Sequence, residues 1–255
     1  ANTVSVIYND QPPTKAEGGH TKGVIVGDKN NALWLVHSVP KFPPVPNSNY
    51  PATGTKYGQT FLCTSVHTST LNQIGTQLKY NEPLINYHSI PQELEIELPN
   101  IMEVIQNKTV DSAPCFETLA GRKFISFAKS GMFNDDLYSG LVAEVLQTDL
   151  LVESWTNVFC VESFTNFFNA SMSFSSHSDH AKWAAAVAHK MLNTQDAKVA
   201  DYWLCVGDIN RTTWATAHGL AVRGASRPLD HENFFKEFTS FDTQIWVTFD
   251  KCINC

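Results

Sequence analysis

Two short pairs, His20-Thr21-Lys22 and His180-Ala181-Lys182, set an imidazole and an ammonium two residues apart in widely separated parts of the chain. In extended backbone, residues i and i+2 point to one face, so each pair puts a titratable group beside a fixed cation. That is the equipment for breaking a phosphate ester. One neutral imidazole attacks phosphorus, one imidazolium protonates the departing oxygen, and two ammonium groups clamp the non-bridging oxygens. A lone His-x-Lys is ordinarily a solvated surface pair. Here each pair is followed by an apolar run that ends in polar residues: Ala32-Leu33-Trp34-Leu35-Val36-His37-Ser38 after the first, and Tyr202-Trp203-Leu204-Cys205-Val206-Gly207-Asp208-Ile209-Asn210 after the second. The recurrence reads as an internal duplication in which each half supplies half of one site. His37 and Ser38 would orient the first pair, and Asp208 with Asn210 the second. His20 is the expected nucleophile and His180 the expected acid, with the near-symmetry leaving the two roles exchangeable.

The motifs around these residues carry a family resemblance. Gly19-His20-Thr21-Lys22-Gly23, Trp34-Leu35-Val36-His37-Ser38-Val39-Pro40, Tyr57-Gly58-Gln59-Thr60, Asp179-His180-Ala181-Lys182-Trp183 and Val206-Gly207-Asp208-Ile209-Asn210-Arg211 resemble deoxyribonuclease II. So do Tyr8-Asn9-Asp10-Gln11-Pro12-Pro13, Phe127-Ala128-Lys129 and Asp135-Asp136-Leu137-Tyr138-Ser139-Gly140, all in the family's order across nearly the whole chain. The resemblance implies an acid endonuclease with a pseudo-dimeric fold of the phospholipase D type, cutting DNA without a metal and leaving 3′-phosphates. It also marks His37 as a phosphate contact. The wider superfamily often has an acidic residue five positions after each lysine, but Gly27 and Val187 stand there. An orienting carboxylate must come from elsewhere, with Asp28 the candidate.

Six cysteines and the sequons Asn107-Lys108-Thr109 and Asn169-Ala170-Ser171 favour the secretory route, hence lysosomal or secreted residence. The sequon at Asn210 sits in the proposed site and is expected unmodified. By resemblance, Cys63 bonds a cysteine in an amino-terminal segment outside this sequence, so the first half would lack its opening strands. Also by resemblance, Cys160 bonds Cys252 or Cys255, while Cys205 belongs to a disulfide whose usual partner is absent here. Cys115 has no assignment. Cys252-x-x-Cys255 fits structural disulfides better than a redox or zinc motif. His177-x-x-His180 lacks a nearby third ligand, so neither metal nor cofactor is expected.

The chain has 255 residues, 43% of them apolar, enough for a large core. It holds no apolar run long enough to span a membrane. A net charge of −7 opposes DNA binding at neutral pH, and protonating nine histidines in acid carries it past zero. Net charge alone says little of a local groove. No recognition helix or basic arm is visible, so contact through sugar and phosphate should tolerate any sequence. A phospholipase D-like activity on another phosphodiester and a secreted venom protein with nuclease-based toxicity are the alternatives.

Stepping from site to scaffold, the patterns predict strands near 3–8, 23–27, 32–39 and 61–66 and a helix over 69–80. They predict a helical stretch over 92–106 broken at Pro99, a helix over 135–147 and strands at 149–155 and 202–208. A helix near 231–241 and a strand at 245–249 complete the pattern. Strand and helix alternate, so the expectation is α/β: two similar halves, 1–110 and 111–255, each a mixed β-sheet flanked by helices. The chemistry generates a direct test. Cleavage of DNA at pH 5 in excess EDTA should match that with added Mg²⁺, and a requirement for metal would replace the imidazole chemistry with a carboxylate–metal one.

Overall fold

Alternation of buried and half-buried residues drives the first strands in the computed structural model. It describes residues 2–14, 16, 18–43, 50–108, 115–117, 123–129, 136–146, 149–153, 180–186, 203–208 and 244–250. β1 (Val4–Tyr8) and β2 (Gly23–Gly27) are buried at every second residue, as is β3 (Asn31–His37) from Ala32 to Val36. With β4 (Phe61–His67) and β5 (Ile85–Ser89) they form a five-stranded sheet in the order β4-β3-β2-β1-β5. Every pairing in it is antiparallel, where a mixed sheet was expected. Short connections explain this for β2 and β3, because a parallel pair needs a long crossover. Asp28 makes their turn: its Oδ1 accepts from the backbone N–H of Asn30 at 2.7 Å and of Asn31 at 2.9 Å.

The second sheet is mixed. It contains β6 (Cys115–Glu117), β7 (Lys123–Lys129), β8 (Leu150–Glu153), β9 (Lys182–Ala186), β10 (Trp203–Gly207) and β11 (Gln244–Asp250) in the order β6-β7-β11-β10-β9-β8. β7, β11 and β10 run parallel, while β9, β8 and β6 attach antiparallel. β5, β6 and β7 were not expected from the pattern. β5 reads Ile-Asn-Tyr-His-Ser and is largely exposed at the sheet edge, so no apolar face announces it.

Helix α1 (Leu71–Asn81), entered through a 3₁₀ turn at Thr68–Thr70, packs on α3 (Pro99–Ile105) and reaches β7 and β11. The break expected at Pro99 is real. A short α2 (Gln92–Glu95) ends before it, and Pro99 opens α3, where its missing N–H costs nothing. Lys79 is buried between these helices, its Nζ 2.6 Å from Glu103 Oε2 and donating to Asn100 Oδ1 at 2.8 Å.

The expected helix over 135–147 is shorter and distorted. A π-helical turn at Tyr138–Val142 leads into one α-turn, Ala143–Leu146. The wider turn shifts the helical phase: Leu137 is fully buried and Leu141 half-buried, but Val145, which a regular helix would put on the same face, is 54% exposed. Two apolar clusters result. One spans the first sheet, α1 and α3 and takes in Phe124 and Ala128; the other gathers Phe127, Leu137, Tyr138, Val142, Ala184 and Cys205.

Trp34 is fully buried and its Nε1 donates to Tyr8 Oη at 2.9 Å; Trp183 is half-buried. Cys205, whose usual disulfide partner is absent from this sequence, carries a free thiol in the apolar cluster, and burial pushes its pKa up to about 12. It fills space as a small hydrophobe. Cys63 is a free, exposed thiol on β4. Asn107 is exposed just past α3 with φ at 57°, a left-handed position that asparagine tolerates. Cys160, Cys252, Cys255, Asn169, Asn210 and the helix expected near 231–241 lie outside the described residues. Among the described residues no helix is long and apolar enough to cross a membrane.

Gly75 is where α1 and α3 meet: a Cβ there would lie 2.8 Å from the backbone carbon of Asn100 and 2.9 Å from the nitrogen of Ile101. Gly75→Ala adds helix propensity worth up to about 1 kcal/mol. Backbone cannot yield as a flexible side chain does, so the variant should nonetheless melt lower than wild type. A higher melting temperature would mean that the helix pair can slide apart.

Candidate active site

Asn9 and Asp10 leave the end of β1. The Asn9 backbone N–H donates to Leu84 O at 3.1 Å and its side chain to Val39 O at 3.2 Å, which pins this corner. Opposite it runs the loop Gly18-Gly19-His20. Gly19 N–H donates to Glu82 O at 2.9 Å, just past α1, and at Gly18 a Cβ would stand 2.6 Å from Leu84 Cγ. Only glycine allows the loop to lie this close.

Asp10 organises the first pair. Its Oδ1 lies 2.8 Å from Lys22 Nζ and its Oδ2 lies 3.3 Å from His20 Nε2, so one carboxylate touches both members from one side. The spacing expectation holds here: His20 and Lys22 share a face. Burial works against the charged form of Asp10, but Lys22 and then His20 outweigh it and hold the carboxyl below its ordinary pKa.

The second pair meets the first. The Lys22 backbone N–H donates to Asp208 Oδ2 at 2.5 Å, from the residue that follows β10. The His180 backbone N–H donates to Gly58 O at 2.9 Å, and its ring stacks on Tyr57 with centroids 4.7 Å apart and planes 4° from parallel. Lys182 Nζ donates to the carbonyl of His180 at 2.5 Å. Both lysines are 2% exposed.

Burial with two cations depresses the imidazoles. His20 falls to about 3, from burial first, then Lys22, with Lys182 adding to it against the pull of Asp10. His180 falls to about 4, from burial, Lys182 and Lys22. Each histidine therefore feels the lysine of the other pair. Asp208 goes the other way: burial pushes it up to about 7, despite Lys22. Its Oδ1 is buried with no hydrogen-bond partner among the described residues, as are Thr21 Oγ1 and Gln59 Nε2. No cluster of three or more metal-ligating side chains occurs among the described residues.

The sequence model of one family, described as Deoxyribonuclease II, matches residues 1–243. This chain belongs to the deoxyribonuclease II family. It is thereby one of a family of DNA-cleaving hydrolases. It is 36% identical over 263 aligned positions to deoxyribonuclease-2-alpha of Mus musculus, covering 92% of this chain and 70% of that protein. Plancitoxin-1 of Acanthaster planci is 34% identical over 261 positions, with 93% and 69% covered. Deoxyribonuclease-2 of Caenorhabditis elegans is 32% identical over 252, with 92% and 64% covered. The chain thus spans about two thirds of the length of these relatives.

Within this deoxyribonuclease II chain, His37 stands beside the first pair, while Ser38, Asp208 and Asp28 make other contacts than the spacing suggests. His37 Nδ1 accepts from Val39 N–H at 3.2 Å, and its pKa falls to about 4 through burial, then Lys22. Its backbone N–H donates to Lys22 O at 3.4 Å, so it lies beside the first pair. Ser38 instead ties down the following loop: its hydroxyl donates to Gln59 Oε1 at 2.7 Å and accepts from Thr60 N–H at 2.9 Å. Asp208, assigned by position to the second pair, accepts a hydrogen bond from the first, from the Lys22 backbone N–H. Asp28 is spent on the turn and is not the orienting carboxylate. Asp10 is, and the pattern missed it. The available signal was its place two residues past Tyr8, at the end of a strand paired with β2, which Lys22 immediately precedes.

Asp208 makes a pH prediction. Its folded-state pKa of about 7 exceeds the ordinary 3.8, so the folded chain holds an extra proton between those values. That contribution is complete below about pH 4 and is lost as pH rises through 7. His20, His37 and His180 act oppositely: folded values of about 3 to 4 mean stability present above pH 6.5 and lost as pH falls below it. Asp208→Asn keeps an oxygen for the Lys22 N–H but cannot ionise. It should gain on the order of 2 kcal/mol over wild type at pH 8 and little at pH 4, read from urea melts. An equal loss at both pH values would mean that the charge is needed by the fold.

Proposed function

We propose that this chain hydrolyses DNA phosphodiesters at acid pH, without a metal and with little regard to base sequence, leaving 3′-phosphate and 5′-hydroxyl ends. The observation that carries the reading is the convergence of the two His-x-Lys segments. Asp208 reaches across to Lys22, and His180 is held by the loop that Ser38 anchors. We infer a phospholipase D-like arrangement, with halves 1–110 and 111–255 each giving one pair. Lys22 stands immediately before β2 and Lys182 opens β9, which supports that symmetry.

His20, braced by Asp10, attacks phosphorus while the P–O5′ bond breaks and the His180 imidazolium gives its proton to O5′. The product is a phosphohistidine joined to the 3′ side of the cut. His180, now neutral, takes a proton from water; the hydroxide attacks phosphorus, the P–N bond breaks, and a 3′-phosphate leaves. Lys22 and Lys182 hold the non-bridging oxygens, with His37 as a further phosphate contact.

The acid dependence follows from the charges. Burial and the lysines hold both imidazoles neutral; a bound phosphodiester anion opposes the lysines and lifts them toward the range where one is charged at pH 5. Asp208 is neutral there, which removes an anion from beside the substrate. A segment disulfide-linked at Cys63 and residence in the lysosome or outside the cell complete the proposal. The similarity to plancitoxin-1 favours one second reading, the same chemistry serving a secreted toxin.

His20→Ala and His180→Ala should each cut plasmid nicking at pH 5 by more than about 10²-fold, and the double variant should lose little more. Wild-type activity should peak near pH 5 and fall steeply above 6, and at saturating DNA the profile should survive added salt. A tenth of the rate in either single variant, or a maximum at pH 7 or above, would sink the proposal.

A further inference from the structure

The stretch Lys56-Tyr57-Gly58-Gln59-Thr60 lies between a 3₁₀ turn (Ala52–Thr55) and β4, outside both sheets and both His-x-Lys pairs. Its position is nevertheless closely determined. Ser38 and Thr60 exchange bonds, Ser38 N–H to Thr60 O at 3.1 Å and Thr60 N–H to Ser38 Oγ at 2.9 Å, and the Ser38 hydroxyl holds Gln59. From that anchor the strand-like segment reaches the second half. Gly58 O accepts the His180 backbone N–H, and the Tyr57 ring lies flat on the imidazole, 4.7 Å between centroids and 4° between planes. Lys56 Nζ lies 5.0 Å from the centre of the same Tyr57 ring.

We propose that Tyr57 is a positioning residue for His180, its ring fixing the imidazole plane so that the proton is delivered along one line to the leaving oxygen. The proposal rests on the catalytic role given above to His180. A near-parallel stack restrains rotation about the imidazole's χ angles, which the backbone bond to Gly58 cannot do. The backbone bond fixes where the residue is; the stack fixes how its ring is turned. An imidazole off line loses much of its value as an acid, because proton transfer depends steeply on geometry. Among the described residues the charged groups facing His180 are Lys182, Lys22 and Asp10, while Lys56 is held by Tyr57 itself, through its ring and its hydroxyl. Tyr57→Phe loses the hydroxyl contact to Lys56 and keeps the ring, so the comparison of the Phe and Leu variants reads the ring itself.

Tyr57→Leu keeps an apolar side chain and removes the stack; Tyr57→Phe keeps the ring. In the full-length protein at pH 5, Tyr57→Leu should lower kcat about tenfold with KM within twofold, and Tyr57→Phe should restore most of the rate. The His180 ring-proton resonances, assigned by comparison with His180→Ala, should sit upfield in wild type and Tyr57→Phe and move downfield in Tyr57→Leu. Wild-type kcat and unmoved resonances in Tyr57→Leu would overturn the proposal. So would a Tyr57→Phe variant as slow as Tyr57→Leu with the same loss of melting temperature, which makes the residue a structural support. If His180→Ala itself stays active, the nuclease mechanism falls instead, and the resonances still report whether the stack orients the ring.

Discussion

Two ammonium groups are withdrawn from water at one place, and much of the molecule is arranged around that cost. Lys22 and Lys182 are each 2% exposed. Removing such a charge from water costs several kcal/mol even after relaxation. Asp10 offsets part of this for Lys22, and a main-chain carbonyl solvates Lys182. The second nearby carboxyl, Asp208, is itself too buried to ionise readily. Burial first, and the two lysines after it, keep the neighbouring imidazoles neutral. Under the proposed mechanism a bound phosphodiester would set an anion beside these cations, so that substrate binding and protonation of the acid become one electrostatic event.

The same arrangement leaves the isolated protein in tension with acid. Buried imidazoles favour folding above pH 6.5, while the protonated Asp208 favours it below 7. The two contributions oppose each other across the interval in which an acid enzyme works. An anion that raises the imidazole pKa values removes the first penalty and leaves the second benefit, so ligand should stabilise most at low pH.

Neither half makes the site alone. β1, β2 and the loop at Gly18-Gly19 bring Asp10, His20 and Lys22 together within the first sheet's end. The second sheet contributes His180, Lys182 and Asp208 from the mouths of β9 and β10. Three kinds of link join them: a carboxylate to a main-chain N–H, a main-chain bond from His180 to Gly58, and an aromatic stack. Helix α1 adds apolar contact between the first sheet's layer and β7, through Phe124 and Ala128. The geometry of the candidate site is thus a property of the meeting of two sheets.

Much was legible along the chain itself. The repeated His-x-Lys with its apolar runs marks the four groups that the structure brings near one another, because residue type and i, i+2 spacing limit what chemistry is possible. Alternating burial at Val4–Tyr8, Gly23–Gly27 and Asn31–His37 predicts strands because strand periodicity is local. Pro99 marks a helix start for the same kind of reason. What the chain alone could not decide is who touches whom. Asp28 and Asp10 are equally acidic in sequence, yet one caps a turn and the other braces His20, which depends on β1 lying beside β2. The polar edge strand β5, the π-turn that exposes Val145, and the antiparallel first sheet arise from pairing and packing with distant segments. Asp208 sits 186 residues from Lys22, and Tyr57 lies far from His180 in sequence. Such contacts leave no local period or spacing to read; they exist only once burial has brought the two sheets together.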